Sequence, residues 1–184
     1  MRKIVAAINM TIDGYCDHTA GIPDEELHQH YTELLNQAGA IIYGRITYRL
    51  MESSWPPIAK NPTGNKSMDE FAVAIQNIPK IVFSRTLTDV KWENSKLARR
   101  SLEEEVSELR QQSGKDIFVG SPGLIAALTR LNLIDEYQLC VHPVITGSGL
   151  QLFKNISNRV SFKLLKTKIF SSGAIILYYV PVKK

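Results

Sequence analysis

The stretch Asp116–Leu128, DIFVGSPGLIAAL, joins three local signals in order. Ile117–Val119 is a short apolar run rich in β-branched residues, which predicts a buried strand. Gly120 stops it, Ser121 stands where a helix N-cap belongs, and Pro122 stands at the first helical position. Leu124, Ile125, Leu128 and Leu131 continue at helical spacing and predict the buried face of that helix. Strand, glycine turn and helix in this order aim unpaired backbone N–H groups and a positive dipole end at one spot, which is a setting for an anion such as phosphate. Alone, the same turn is an ordinary capped connection that binds nothing.

Working outward, helix and strand alternate. Ile4–Ile8 predicts a first buried strand, followed by a loop over Asn9–Ile22 with turn signals at Asp13–Gly14 and Gly21. Pro23 and the acidic run Asp24–Glu26 open a helix whose buried face is Leu27, Tyr31, Leu34, Leu35 and Ala38, with Gly39 ending it. Ala40–Tyr43 predicts the second strand, Gly44 its end, and Arg45–Met51 a short helix. Ser53–Lys66 is rich in Pro, Asn, Ser and Gly and is expected to be a surface excursion, before a helix near Ser67–Asn77. Lys80–Ser84 predicts the third inner strand, and Val90–Trp92 a short edge strand. Ser101 and Glu104 fit a capping box. Glu136–Val141 is a further strand, and Val160–Phe170 and Ala174–Val180 form a hairpin about Ser171–Gly173. The expected fold is therefore one α/β domain over residues 1–184, with a mostly parallel sheet, helices on both faces and an antiparallel C-terminal pair.

Three predicted strands end in polar turns: Gly44-Arg45-Ile46-Thr47, Ser84-Arg85-Thr86 and Gly120-Ser121-Pro122-Gly123. In an open parallel sheet these strand ends share one edge, where ligands bind. Arg45 and Arg85 each stand beside a hydroxyl residue. Either alone reads as a solvated surface cation, whereas the pair at equivalent positions points to anion binding.

At this point the chain resembles the dihydrofolate reductase fold, in the branch that holds the reductase domain of the bifunctional riboflavin-biosynthesis deaminase-reductase. The resemblance rests on YGRxTY at Tyr43–Tyr48, FSRT at Phe83–Thr86, VGSPGL at Val119–Leu124, Met10–Gly14 after the first strand, and His142–Gly149 late in the chain. It implies NADPH binding and hydride transfer. By family pattern Gly44, Arg45 and Thr47 hold phosphate at a helix start, and Ser84 and Arg85 flank the ribose 2′-phosphate. Gly120, Ser121, Gly123 and Leu124 cradle the pyrophosphate, with Ala7 and the Asp13–Gly14 loop near the nicotinamide. Asp13 and Glu26 are the candidate catalytic carboxylates, each also readable as a local structural charge: an Asp-Gly turn and a helix-dipole partner. The implied substrate is a small heterocycle, pterin- or riboflavin-precursor-like, as in 5-amino-6-(5-phosphoribosylamino)uracil reductase. Where the riboflavin-type domain carries Glu-Gly-Gly this chain has Gly120-Ser121-Pro122, so folate and the riboflavin pyrimidine both stand as candidates. The alternative function is a non-catalytic NADP(H)-binding sensor. A homodimer is expected by resemblance, with Ile175–Val180 as a contact.

Composition narrows the rest. The 184 residues are 44% hydrophobic and 22% charged, with net charge +4, which suits an anionic ligand but argues against a nucleic acid partner. No apolar run has transmembrane length, Cys16 and Cys140 are far apart, and a reduced cytoplasmic setting is expected. His28 and His30 point to different helix faces and His18 and His142 stand apart, so no metal site is expected.

Overall fold

The computed structural model describes residues 1–21 and 24–182. Among these, five helices and eight strands follow one another as β1 (Ile4–Thr11), α1 (Glu25–Gln37), β2 (Ala40–Gly44), α2 (Arg45–Lys60), α3 (Lys66–Asn77), β3 (Lys80–Phe83), β4 (Ser95–Leu97), α4 (Leu102–Gln111), β5 (Ile117–Val119), α5 (Pro122–Arg130), β6 (Glu136–His142), β7 (Phe162–Ile169) and β8 (Ile175–Pro181). The strands form one sheet in the order β4-β3-β2-β5-β1-β6-β8-β7. The pairs β2–β3, β3–β4 and β1–β6 are parallel, and β8 runs antiparallel to β6 and β7. The expected α/β architecture with its antiparallel close is therefore present.

The chain divides into two compact units, Met1–Arg2 with Pro23–Ile117, and Lys3–Ile22 with Phe118–Lys184. In the first, strands β2 and β3 are almost wholly buried, as their apolar, β-branched sequences require. Helix α1 opens on Asp24, whose carboxylate accepts from the Leu27 N–H at 2.7 Å. Pro23, expected to open that helix, lies outside the described residues. Ser101 and Glu104 form the full capping box of α4.

Three local expectations in this unit are corrected. Helix α2 does not stop at Met51; it runs through Pro56 and Pro57 to Lys60. The two prolines remove N–H groups, yet Trp55 packs on Phe71 of α3 at 4.4 Å and beside His28 of α1 at 6.3 Å, and this apolar seat outweighs the loss. His28 is correspondingly half-buried. Burial pushes its pKa down, against the opposing charge of Asp24. The edge strand is Ser95–Leu97 and not Val90–Trp92. Trp92 is buried as an anchor: its indole N–H donates to Gln76 Oε1 at 2.5 Å and its backbone N–H to the Tyr48 hydroxyl at 3.1 Å. Gly39 does not supply a left-handed helix end, which falls at Ala38. It is a close approach, because a Cβ there would lie 2.6 Å from Arg2 Nη2 and 2.8 Å from the Lys115 carbonyl.

In the second unit β1 extends to Thr11, three residues past the expected end, and pairs with β6 so that Thr11 lies opposite His142. Ile125 and Leu128 of α5 are fully buried, but Leu131 is the C-cap residue and 39% exposed, so the predicted stripe ends a turn early. The hairpin turn at Ser171–Gly173 is as expected, with Gly173 at φ +82°. Strand β7 buries neither face: every residue is exposed, including Phe162, Leu164 and Ile169. It forms the sheet edge, one strand outside β8.

Candidate functional site

In the first unit, Gly44 is both the last residue of β2 and the N-cap of α2, and it lies opposite Phe83 of β3. Arg45 and Ser84 therefore leave the same end of two neighbouring parallel strands. Gly44 offers no side-chain cap, and the first turn of α2 holds no acid. Arg45 instead places an exposed cation at the positive end of the helix dipole, an arrangement that costs roughly 0.3–1 kcal/mol unless an anion joins it. Thr47, half-exposed, sits two residues on. Ser84 Oγ accepts from the backbone N–H of Thr86 at 3.1 Å and of Leu87 at 2.9 Å. That hydroxyl turn holds Ser84 and leaves the Arg85 side chain exposed beside it.

In the second unit, Gly120 follows β5 and Ser121 is the N-cap of α5, with Pro122 first in the helix as predicted. Ser121 is buried and its side chain makes no capping hydrogen bond. The first turn of α5, which includes Gly123 and Leu124, holds no acid. A Cβ built on Gly123 would meet nothing within 4 Å. The contrast with the other helices is chemical. Asp24, Asn65 and Ser101 cap α1, α3 and α4, and each of those first turns carries at least one carboxylate. Helices α2 and α5 alone among the described helices have neither device. Their N-termini retain the positive potential that the other three neutralise internally.

The Asp13–Gly14 turn is built differently from a bare Asp-Gly turn. Thr11 Oγ1 donates to Asp13 Oδ1 at 2.5 Å, and the Gly147 N–H donates to Asp13 Oδ2 at 2.7 Å. The Thr146 N–H lies at 3.4 Å. These donors, Thr11 first, hold the Asp13 carboxyl below the usual range against a smaller opposing effect of burial. A carboxylate held ionised donates no proton at neutral pH, so Asp13 fits an anchoring rather than an acid role. Both segments are visible in the sequence but their link is not, because 134 residues separate Asp13 from Gly147. Ala7 is half-exposed on β1. Glu26 is exposed in the first turn of α1, beside the capping carboxylate of Asp24. His142 ends β6 as a buried, hydrogen-bonded histidine, with Nε2 3.1 Å from Asn9 Oδ1 and Gly21 packed against its ring. Among the described residues no three His, Cys, Asp or Glu side chains group as a metal site needs, and no helix is long and apolar enough to cross a membrane.

The sheet order, its crossover connections and the antiparallel close define a dihydrofolate-reductase-like α/β fold. The chain belongs to the RibD C-terminal domain family, whose family model matches residues 2–176. It is 31% identical over 182 residues to the uncharacterized protein YyaP of Bacillus subtilis (strain 168), covering 97% of this chain and 94% of that one. Among solved structures, a Shewanella sp. PV-4 protein described as a candidate riboflavin biosynthesis protein matches with TM-score 0.76 at 20% identity, over 100% of both chains. The diaminohydroxyphosphoribosylaminopyrimidine deaminase/5-amino-6-(5-phosphoribosylamino)uracil reductase of Thermotoga maritima matches with TM-score 0.67 at 20% identity, over 98% of this chain and 57% of that one. At these identities the structural matches establish the fold.

Proposed function

We propose that the protein is an NADPH-dependent reductase of a small heterocyclic substrate, pterin- or riboflavin-precursor-like. The observation that carries the reading is the pair of helix starts, α2 and α5, that lack both a capping side chain and a first-turn acid, in a chain whose other described helices have both. They are the two helix starts that the family pattern assigns to phosphate. Gly44, Arg45 and Thr47 would hold one phosphate through backbone N–H groups and a guanidinium. Ser84 and Arg85 would bind the ribose 2′-phosphate, which NADH lacks. Gly120, Ser121, Gly123 and Leu124 would hold the pyrophosphate, and open space at Gly123 suits a ligand oxygen approaching the backbone. When bound, NADPH supplies the hydride. The Asp13-Gly14 turn, tied to Gly147 through the Asp13 carboxylate, would border the nicotinamide with Ala7 and fix the loop that excludes water.

Family membership supports this reading over a sensor that binds NADP(H) without turnover, whereas the uncapped helix starts suit both. The deciding experiment is NADPH oxidation with a panel of pterins, pyrimidine riboflavin precursors and quinones. Oxidation that depends on a pterin or pyrimidine is expected. Tight NADPH binding without oxidation across the panel would favour the sensor. The homodimer also remains part of the proposal, with the exposed apolar residues Leu164 and Ile169 of the edge strand β7 in the contact rather than β8 alone.

A further inference from the structure

The first unit contains a cavity of about 350 Å³ at the N-terminal ends of β2, β3 and β4. It lies away from the phosphate-binding turns. Ala40, Lys80 and Ser95 begin the three strands, whereas Gly44 and Phe83 end the first two. The strands separate the two ends by roughly 13 Å.

Arg2 lines this cavity and is only 8% exposed. Its backbone N–H donates to the Arg110 carbonyl at 3.0 Å and its Nε to the Lys115 carbonyl at 2.6 Å. Its two terminal nitrogens make no further hydrogen bond among the described residues, and no carboxylate there lies within ion-pair distance of it. A glycine on either side makes room for the guanidinium: a Cβ at Gly39 would touch Nη2, and one at Gly114 would reach Nε at 3.8 Å. The terminal nitrogens are not among the buried atoms without a partner, so they face the open cavity, and their pair of coplanar donors matches a two-oxygen acceptor.

The Asp116 carboxylate acts on Arg2 from beyond ion-pair distance, and two lysines oppose it. Lys80 is fully buried and its ammonium donates to the carbonyls of Gln76, Ile78 and Glu93 at 3.0, 3.0 and 3.1 Å, so it adds charge without offering donors. Lys96 also lines the cavity, with Glu105 at 3.8 Å. Pro79, Ile81 and Leu109 supply an apolar wall.

We infer that this cavity is a second binding site, for a small organic carboxylate whose charged end pairs with Arg2 and whose apolar body rests on Pro79, Ile81 and Leu109. It is independent of the dinucleotide reading, because neither Arg45 nor Arg85 takes part.

The test uses the full chain with benzoate and, separately, inorganic phosphate as probes, followed by calorimetry and backbone amide NMR. Benzoate is expected to bind saturably, with a Kd of about 1 mM or tighter, and to shift the amides of Ala40, Ile81 and Ser95. Arg2→Gln is expected to weaken it by about tenfold or more, while Arg45→Ala/Arg85→Ala leaves it unchanged. Gln112→Trp, at an exposed lining position where folding is not at stake, is expected to block the site. Phosphate binding that moves those amides more strongly than benzoate would reassign the site to phosphate and overturn the carboxylate proposal. No saturable benzoate binding, or binding that survives both Arg2→Gln and Gln112→Trp, or binding lost in the Arg45/Arg85 variant, would also overturn it.

Discussion

Replacing Gly123 with alanine should make the protein more stable when empty and less stable when NADPH is present. Gly123 is the second residue of α5, its φ is not in the left-handed region, and an added Cβ would meet no atom within 4 Å. Nothing in the fold therefore requires glycine there. Alanine restricts the unfolded chain and favours helix, a gain of about 0.4–1 kcal/mol. For a chain of this size that corresponds to about 1–4 °C in Tm. The same methyl group would occupy the space through which a pyrophosphate oxygen reaches the backbone N–H groups. A loss of about 30-fold in NADPH affinity removes about 2 kcal/mol of ligand stabilisation at saturating cofactor, more than the gain. Thermal unfolding of both proteins with and without NADPH checks the sign reversal. A variant that responds to NADPH as the wild type does would refute the placement of Gly123 at the pyrophosphate. A variant destabilised when empty would refute the local geometry.

Three other outcomes are expected. Burial lowers the Lys80 pKa from 10.5 to about 8, so the unfolded chain holds its proton to higher pH than the folded one, and stability should rise as pH goes from about 8 toward 10.5. The rise is bounded at about 3 kcal/mol and is reduced by the three carbonyl acceptors and the Trp92 ring at 4.3 Å, which favour the ammonium; urea unfolding at neutral and mildly alkaline pH should show it in wild type and not in Lys80→Met, and parallel profiles would exclude it. The Asp13 carboxyl is held below its usual range, so its stabilising contribution is present above the unfolded pKa near ~4 and is lost as pH falls through the lower folded value; Asp13→Asn should flatten that part of the acid unfolding profile, and an unchanged profile would show that the Thr11 and Gly147 bonds carry no weight. Leu164→Lys with Ile169→Lys on β7 should convert a dimer to a monomer in light scattering, since both side chains are exposed and neither supports the described core; a wild-type protein that is already monomeric would remove the dimer from the proposal.

Much of the architecture could be read locally, where a side chain acts on its own neighbours. Asp24, Ser101 with Glu104, and Pro122 mark helix starts because caps are short-range devices, and Ser171–Gly173 marks a hairpin for the same reason. Expectations failed where a distant partner overrides a local rule. Pro56 and Pro57 predict a break, but Trp55 finds Phe71 sixteen residues on and the helix holds. Val90–Trp92 has strand propensity, yet the Trp92 ring is drawn to Gln76, and the ladder waits for Asn94, at φ +58°, to turn the chain into Ser95. Gly39 reads as a helix stop in sequence and is explained only by Arg2 lying against it. At the site, the turns carrying Gly44, Ser84 and Gly120 were legible because glycine and hydroxyl residues follow apolar runs. What made α2 and α5 different, the absence of a working cap, becomes visible only once the Ser121 side chain is seen not to bond the turn it precedes.

Arg45 and Arg85 are proposed to select the dinucleotide that carries a 2′-phosphate, and separate titrations of NADPH and NADH decide whether they do. The wild type should bind NADPH at least about tenfold more tightly than NADH, and Arg45→Ala/Arg85→Ala should erase most of that ratio, with NADPH losing more affinity than NADH. Equal affinities of the wild type for the two cofactors, or a ratio that survives the double substitution, would contradict it.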